Sequence, residues 1–211
     1  DFGPQTSSPI QLELLDHLAL FLTNNEWSTK ALIKHIITSE TFQRSSQSTS
    51  KLREEDPSNN YYARANRQRK DLEAWRDSTL QVSGRLVRKM GGKPFNLDQP
   101  PYEGRRTIYA KTRRGYLPSI MRAFDFPGSE VALMKRTTTT TPIQALYLMN
   151  SPFLLGEARA IAKRNSSIEA IYRTVLQRDP TIIEIDLAKA WLDRAKSSRT
   201  SGVWDYGYLQ K

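Results

Sequence analysis

The sequence predicts a mainly α fold, an irregular helical bundle-like domain with long extended basic segments. Three observations predict it. Apolar residues recur at helical spacing in the first and last thirds of the chain. Helix-start signals, a hydroxyl residue followed three positions later by Gln or Glu, stand before the later stripes. No alternation of strand and helix patterns supports a nucleotide-binding sheet. The implied organisation is a helical pair over residues 1–44, then a polar linker, one helix and an extended basic region over 45–136. Capped helices follow over 137–195 and a loose tail over 196–211.

Each element has its own signal. The first ten residues, rich in Pro, Ser and Gly, read as an extended lead-in. A first helix is expected from Ile10 to Leu22, with Leu14, Leu15, Leu18 and Leu22 as its stripe. After the turn Asn24-Asn25-Glu26, Trp27 is expected to close over the next helix start as a staple and Ser28 to cap it. Leu32, Ile33, Ile36 and Ile37 make the second stripe. The short turn predicts that these two helices pack antiparallel. Residues 45–60 read as a polar linker, because Ser45, Ser46, Ser48, Thr49 and Ser50 provide no apolar anchor and Glu54-Glu55-Asp56-Pro57 stops regular structure.

A third helix is expected over Asp71–Leu86, with Gly84 as an internal weakness of about 1 kcal/mol relative to Ala. An irregular Pro- and Gly-rich stretch follows. Within it Arg106–Ala110 alone has strand character, and a lone strand needs a partner. Few apolar anchors lie between residues 87 and 116, so this stretch is expected to order against another surface. A short helix is expected over Pro118–Phe124. Thr141 with Pro142 and Gln144, Ser166 with Glu169, and Thr181 with Glu184 are three capping boxes. A helix through Ala162 follows Ser151-Pro152. Ile168, Ile171, Tyr172, Val175 and Leu176 form the next stripe, and Ile183, Leu187, Ala188, Trp191, Leu192 and Ala195 the last.

Composition restricts function mainly by exclusion. The chain has 211 residues, of which 38% are hydrophobic and 26% charged, enough for a real core. The absence of Cys excludes disulfides, zinc–thiolate sites, iron–sulfur clusters and thiol nucleophiles. His17 and His35 are the only histidines, too few for a three-His metal site, and both read as surface residues beside apolar stripes. No apolar run is long enough to cross a bilayer. Asp1-Phe2-Gly3-Pro4 does not open like a signal peptide.

Charge is uneven. Residues 1–60 carry net −3, residues 61–136 carry 17 basic and 7 acidic residues for net +10, and residues 137–211 carry net +3. A basic segment of this kind meets phosphate, acidic glycan, lipid headgroups or an acidic protein. Within it Arg105, Arg106, Tyr109, Lys111, Arg113, Arg114 and Tyr116 crowd twelve positions, and the first six of these form the candidate binding set. Aromatics between guanidiniums suit stacking beside anionic groups. No nucleic-acid module accompanies them, and nucleic acid is not the expected partner. Asp71, Glu73 and Asp77 are the densest acidic cluster, and interleaved Arg69, Lys70 and Arg76 favour salt bridges over a metal. No phosphate loop and no facing carboxylate pair can be argued. No catalytic residue, cofactor or metal site is assigned.

Many ordered stretches then resemble one family. They include Leu14-Leu15-Asp16, Trp27-Ser28 with Lys30, Gln43-Arg44-Ser45-Ser46, Asn66 through Ala74 with Arg76-Asp77, and Val82-Ser83-Gly84-Arg85-Leu86. Further on come Arg105 through Tyr109, Phe124-Asp125-Phe126-Pro127, Thr139 through Pro142 with Gln144-Ala145-Leu146, Asn150 through Phe153, and Tyr172-Arg173 near Arg178. These resemble the C-terminal domain of unknown function of planctomycete, PSD-type proteins that often carry a cytochrome-c-like domain. The resemblance implies a periplasmic or cell-envelope location and a partial copy lacking the family domain's N-terminal part. It implies no activity. The expected function is a noncatalytic structural or accessory subunit that wraps a larger protein partner through its basic middle. The alternatives are an envelope module binding an anionic polymer or glycan, and a fragment of a polysaccharide-acting enzyme.

Overall fold

The computed structural model describes residues 8–113, 115–128, 133 and 136–200. The fold is mainly helical, with nine α-helices and one 3-10 turn among the described residues. The chain divides at Arg69–Lys70 into two compact units. That boundary falls inside the stretch 45–136, which the sequence reading treats as one.

In the first unit, α1 spans Leu12–Asn24 and α2 spans Thr29–Ile37. The Ser28 side chain accepts from the Ala31 amide at 3.3 Å, so the expected cap is made. The staple is not. Glu26 and Trp27 both have positive φ, 54° and 59°, and the Trp27 ring is 70% exposed. The helices meet through rings instead. His17 Nε2 lies 3.2 Å from His35 Nε2, one nitrogen donating to the other, and Phe21 stacks on His35 at 4.2 Å.

The expected linker contains a helix, α3, over Ser50–Glu55. Thr49 Oγ1 accepts from the Leu52 amide at 3.3 Å and Lys51 pairs with Glu55 at 3.8 Å. Six residues are too few to display an apolar stripe, so hydrophobic periodicity carries no trace of α3. After α3 the chain folds around buried polar groups. Asp56 accepts from the Asn60 and Tyr61 amides at 2.8 and 3.0 Å. Asn59, 3% exposed, donates to Arg64 O at 2.7 Å and accepts from the Arg64 amide at 3.2 Å. The fully buried residues described in this unit are these two polar ones, while Leu12, Leu15, Leu20 and Ile33 stay more than half exposed.

The second unit holds the apolar core: Leu72, Phe95, Leu97, Ile120 and Met121, with Trp75, Tyr109, Phe124, Phe126 and Tyr147 packed on it. Helix α4 spans Leu72–Ser83, capped by Asp71, whose carboxylate accepts from the Ala74 amide at 3.0 Å. It ends three residues before the expected Leu86, and Gly84 is its terminus rather than an internal weakness. Gly84 takes φ 76°, the left-handed conformation that closes a helix. A Cβ there would lie 1.8 Å from the Arg164 guanidinium.

Arg106–Ala110 is not a strand. Thr107–Tyr109 is a 3-10 turn, because Tyr109 and Ala110 bond back to Arg106 and Thr107 at 3.1 and 2.9 Å. Isolated bridges pair Val87 with Arg105 and Phe95 with Ala110. The described residues of the stretch 87–116 therefore lie on their own unit's core, to which they contribute Phe95 and Leu97, each 5% exposed.

Helix α5 spans Ser119–Ala123, α6 Pro142–Asn150, α7 Pro152–Arg164, α8 Ile168–Leu176 and α9 Ile182–Thr200. The Thr141/Gln144 box is closed by both bonds, and Gln144 Nε2 also donates to Ala123 O at 2.9 Å. At α8 the cap is Ser167, one residue after the expected Ser166, bonded to the Ala170 amide at 3.1 Å. The last helix runs five residues beyond the expected end at 195, and residues 201–211 lie outside the described residues. The last two stripes are less buried than their periodicity suggests. Val175 and Leu192 are 42% and 40% exposed, and Ile183 71%.

The Thr181/Glu184 box is closed by the Thr181 amide on Glu184 Oε2 at 2.8 Å and the Glu184 amide on Thr181 Oγ1 at 3.3 Å. Arg178 grips the same carboxylate through both oxygens, at 2.8 and 2.6 Å. Arg178 first, then the Thr181 amide, pulls the Glu184 carboxyl from 4.5 down to about 2. A depressed carboxyl contributes stability above its ordinary value and loses it as pH falls through the folded value. The start of α9 is therefore expected to loosen between pH 4.5 and about 2. Amide exchange at Ile182–Ile185 across that window checks this, and Glu184→Gln should remove the acid dependence. Equal protection at both ends would refute it.

Candidate basic binding face

The candidate face is built on the irregular stretch between α4 and α5. Phe95 and Leu97 alternate into the core, so Asn96 and Asp98 point to the open side. The Lys111 amide donates to Phe95 O at 2.8 Å, which lays the basic segment beside this rib. Arg113 and Tyr116 then bond each other's backbones at 3.4 and 3.1 Å. Gly115 between them has φ 72°, a conformation that suits a residue without Cβ.

A pocket of about 190 Å³ opens between the two strips, lined by Asn96, Asp98, Gln99, Lys111, Arg113 and Tyr116 among others. Asp98 does not neutralise it freely. Its carboxylate accepts from the Ser119 amide and hydroxyl at 2.9 and 3.3 Å and from the Ile120 amide at 3.4 Å, which caps α5. Lys111 and Arg113 make no side-chain ion pair among the described residues. Tyr116 is 62% exposed.

The other members of the sequence set have different fates. Arg105 is a structural side chain. It is bonded to Glu103 at 2.7 Å, Gly91 O at 2.8 Å and Lys93 O at 2.5 Å, and lies over the Phe95 and Tyr109 rings at 5.3 and 5.7 Å. Arg106 pairs with Asp77 at 3.2 Å. Tyr109 is half-buried against the core. Arg114 lies outside the described residues. The structure thus brings together Lys111, Arg113 and Tyr116, and sets Arg105 and Arg106 to holding the scaffold.

The acidic cluster is engaged in the same way. Arg136 bridges Asp71 and Glu73 at 3.3 and 2.8 Å, and its guanidinium is held above its usual range first by the Glu73 hydrogen bonds. Asp77 accepts from the Thr107 amide and hydroxyl, both at 2.7 Å. The sequence reading missed Asn96, Asp98 and Gln99. Asp98 caps a helix that starts 21 residues later, a distance no local capping pattern spans.

A family model described as PSD1, protein of unknown function (DUF1553), matches residues 1–192. No curated protein and no solved structure shows a match to the chain. No helix among the described residues is long and apolar enough to cross a membrane.

Proposed function

The chain belongs to the PSD1 family of proteins of unknown function (DUF1553), a membership that brings no activity with it, and we propose that it is a noncatalytic accessory subunit that docks a larger, acidic protein partner through its basic face. The observation that carries this reading is the pocket edged by Lys111, Arg113 and exposed Tyr116. Its cations have no carboxylate partner among the described residues, and its one acid is engaged by amides and a hydroxyl. Side chains left with free charge beside an aromatic ring suit recognition of anionic groups. The acids of the same unit outside the pocket support binding rather than proton transfer, because Asp71, Glu73, Asp77 and Glu103 are each tied to an arginine. The stretch is folded on its own core, so the proposed contact is a preformed face and not an arm that wraps. A cell-envelope setting, suggested by the sequence resemblance, is part of the same proposal.

Lys111→Glu with Arg113→Glu is expected to lower recovery of the native partner at low salt, with a smaller difference at high salt, because exposed contacts are screened. The measurement is quantitative co-purification of wild-type and variant chains from the native host. Equal recovery at low salt would sink the reading. Retention of both chains on an immobilised polyanionic glycan separates the polymer-binding alternative. A loss confined to that column would favour the polymer.

A further inference from the structure

We propose that a pocket in the first unit, between α3 and the loop that follows it, binds a tetrahedral oxyanion group, a phosphate or sulfate ester, through Arg53, Arg64 and Arg67. The pocket has a volume of about 380 Å³ and no acidic side chain in its lining. At roughly 30 Å³ of liquid per water, it has room for an oxyanion together with the unit that carries it.

Its polar groups are donors. Arg64 is fixed in place, with Nη1 on Asp56 O at 3.0 Å and Nη2 on Pro57 O at 2.8 Å, which leaves three of its five N–H groups. Arg67 donates Nε to Ser46 Oγ at 3.2 Å, so both terminal nitrogens and the Ser46 hydroxyl proton remain. Asn66 accepts from Asn59 at 3.0 Å through its oxygen, and its amide nitrogen remains a donor. The Arg53 amide bonds to Thr49 O within α3, but its guanidinium makes no hydrogen bond or ion pair among the described residues. The nearest buried acid, Asp56, is turned to the Asn60 and Tyr61 amides. Those amides, Tyr61 first, hold its carboxyl below the usual range. Three planar guanidiniums with no acceptor among them fit an anion that presents several oxygens at once. No residue of this pocket belongs to the basic face of the second unit.

The test is a titration of the full 211-residue chain with glucose 6-phosphate and, separately, glucose 6-sulfate, followed by amide chemical shifts at constant ionic strength with sodium chloride as control. Saturable shifts at Ser46, Arg53, Ala65, Asn66 and Arg67 with either ester support the site, and the tighter ligand names the ester. Arg53→Gln removes a guanidinium that holds nothing in the fold, and Arg53→Gln with Arg67→Gln should weaken binding at least about tenfold. The Lys111→Glu, Arg113→Glu chain should bind the ester as wild type does, which keeps this site distinct from the proposed partner face. Shifts that fail to saturate, that chloride reproduces, or that persist with undiminished affinity in Arg53→Gln would overturn the proposal.

Discussion

Arg76→Met is expected to lower the unfolding free energy of the second unit by about 3 kcal/mol or more, read as an earlier urea midpoint at an unchanged slope. Arg76 is 3% exposed on α4. Its Nη1 donates to Arg105 O at 3.0 Å and Thr107 Oγ1 at 3.2 Å, and its Nη2 to Glu103 O at 2.5 Å. Burial pushes the guanidinium below its usual range, while Asp77 pushes it back up. Met fills much of the volume but leaves those acceptors without a donor, at roughly 1–3 kcal/mol for each that water cannot reach. Arg76→Lys should also destabilise, since one ammonium cannot reproduce a planar fork. A midpoint unchanged in Arg76→Met would mean that the 103–107 loop is held by something other than this side chain.

Phe153→Ala should cost about 3–5 kcal/mol, the range for removing a buried aromatic ring. Phe153, 3% exposed on α7, meets Tyr102 edge-on at 5.8 Å and lies under the Arg76 guanidinium at 5.0 Å. The two losses are not independent. Phe153 and Phe95 sandwich the same cation, with Phe95 at 5.3 Å. The double variant is therefore expected to lose less than the sum of the singles, by about 0.5–3 kcal/mol. Strict additivity in a double-mutant cycle would remove the cation–ring contact from the account. Both predictions concern one joint, where α4, the irregular loop and α7 converge on the buried Arg76 guanidinium.

Local chemistry was legible where a signal and its partner lie within a turn of each other. Ser28, Asp71, Thr141 and Thr181 each start a helix at or beside the expected place, because a cap needs only an oxygen and an amide two or three residues on. Misreadings began where that neighbourhood ended. Gly84 read as a defect because its left-handed φ closes the helix, which composition alone does not reveal. Arg106–Ala110 has β-branched and aromatic residues, yet turns back on itself because Asp77 of α4 captures the Thr107 amide. The polar stretch after residue 45 carries α3 and a loop ordered by Asp56 and Asn59, with hydrogen bonds in place of apolar anchors.

What the amino-acid order determined by itself is the helical class, most of the helix starts and the concentration of positive charge in the middle of the chain. Only the tertiary structure decided which of those charges are free. Arg76 meets its carbonyls 27 and 29 residues away, Arg106 meets Asp77 at 29, and Arg85 meets Glu157 at 72. A capping oxygen finds its amide inside one turn, whatever the rest of the chain does. A guanidinium has five donors on a long flexible stem, and whichever acceptors the folded chain brings within about 3 Å claim it. Lys111 and Arg113 make no ion pair among the described residues because the one carboxylate in their pocket, Asp98, is held by the Ser119 and Ile120 amides, a property of the packed chain that no count of basic residues contains.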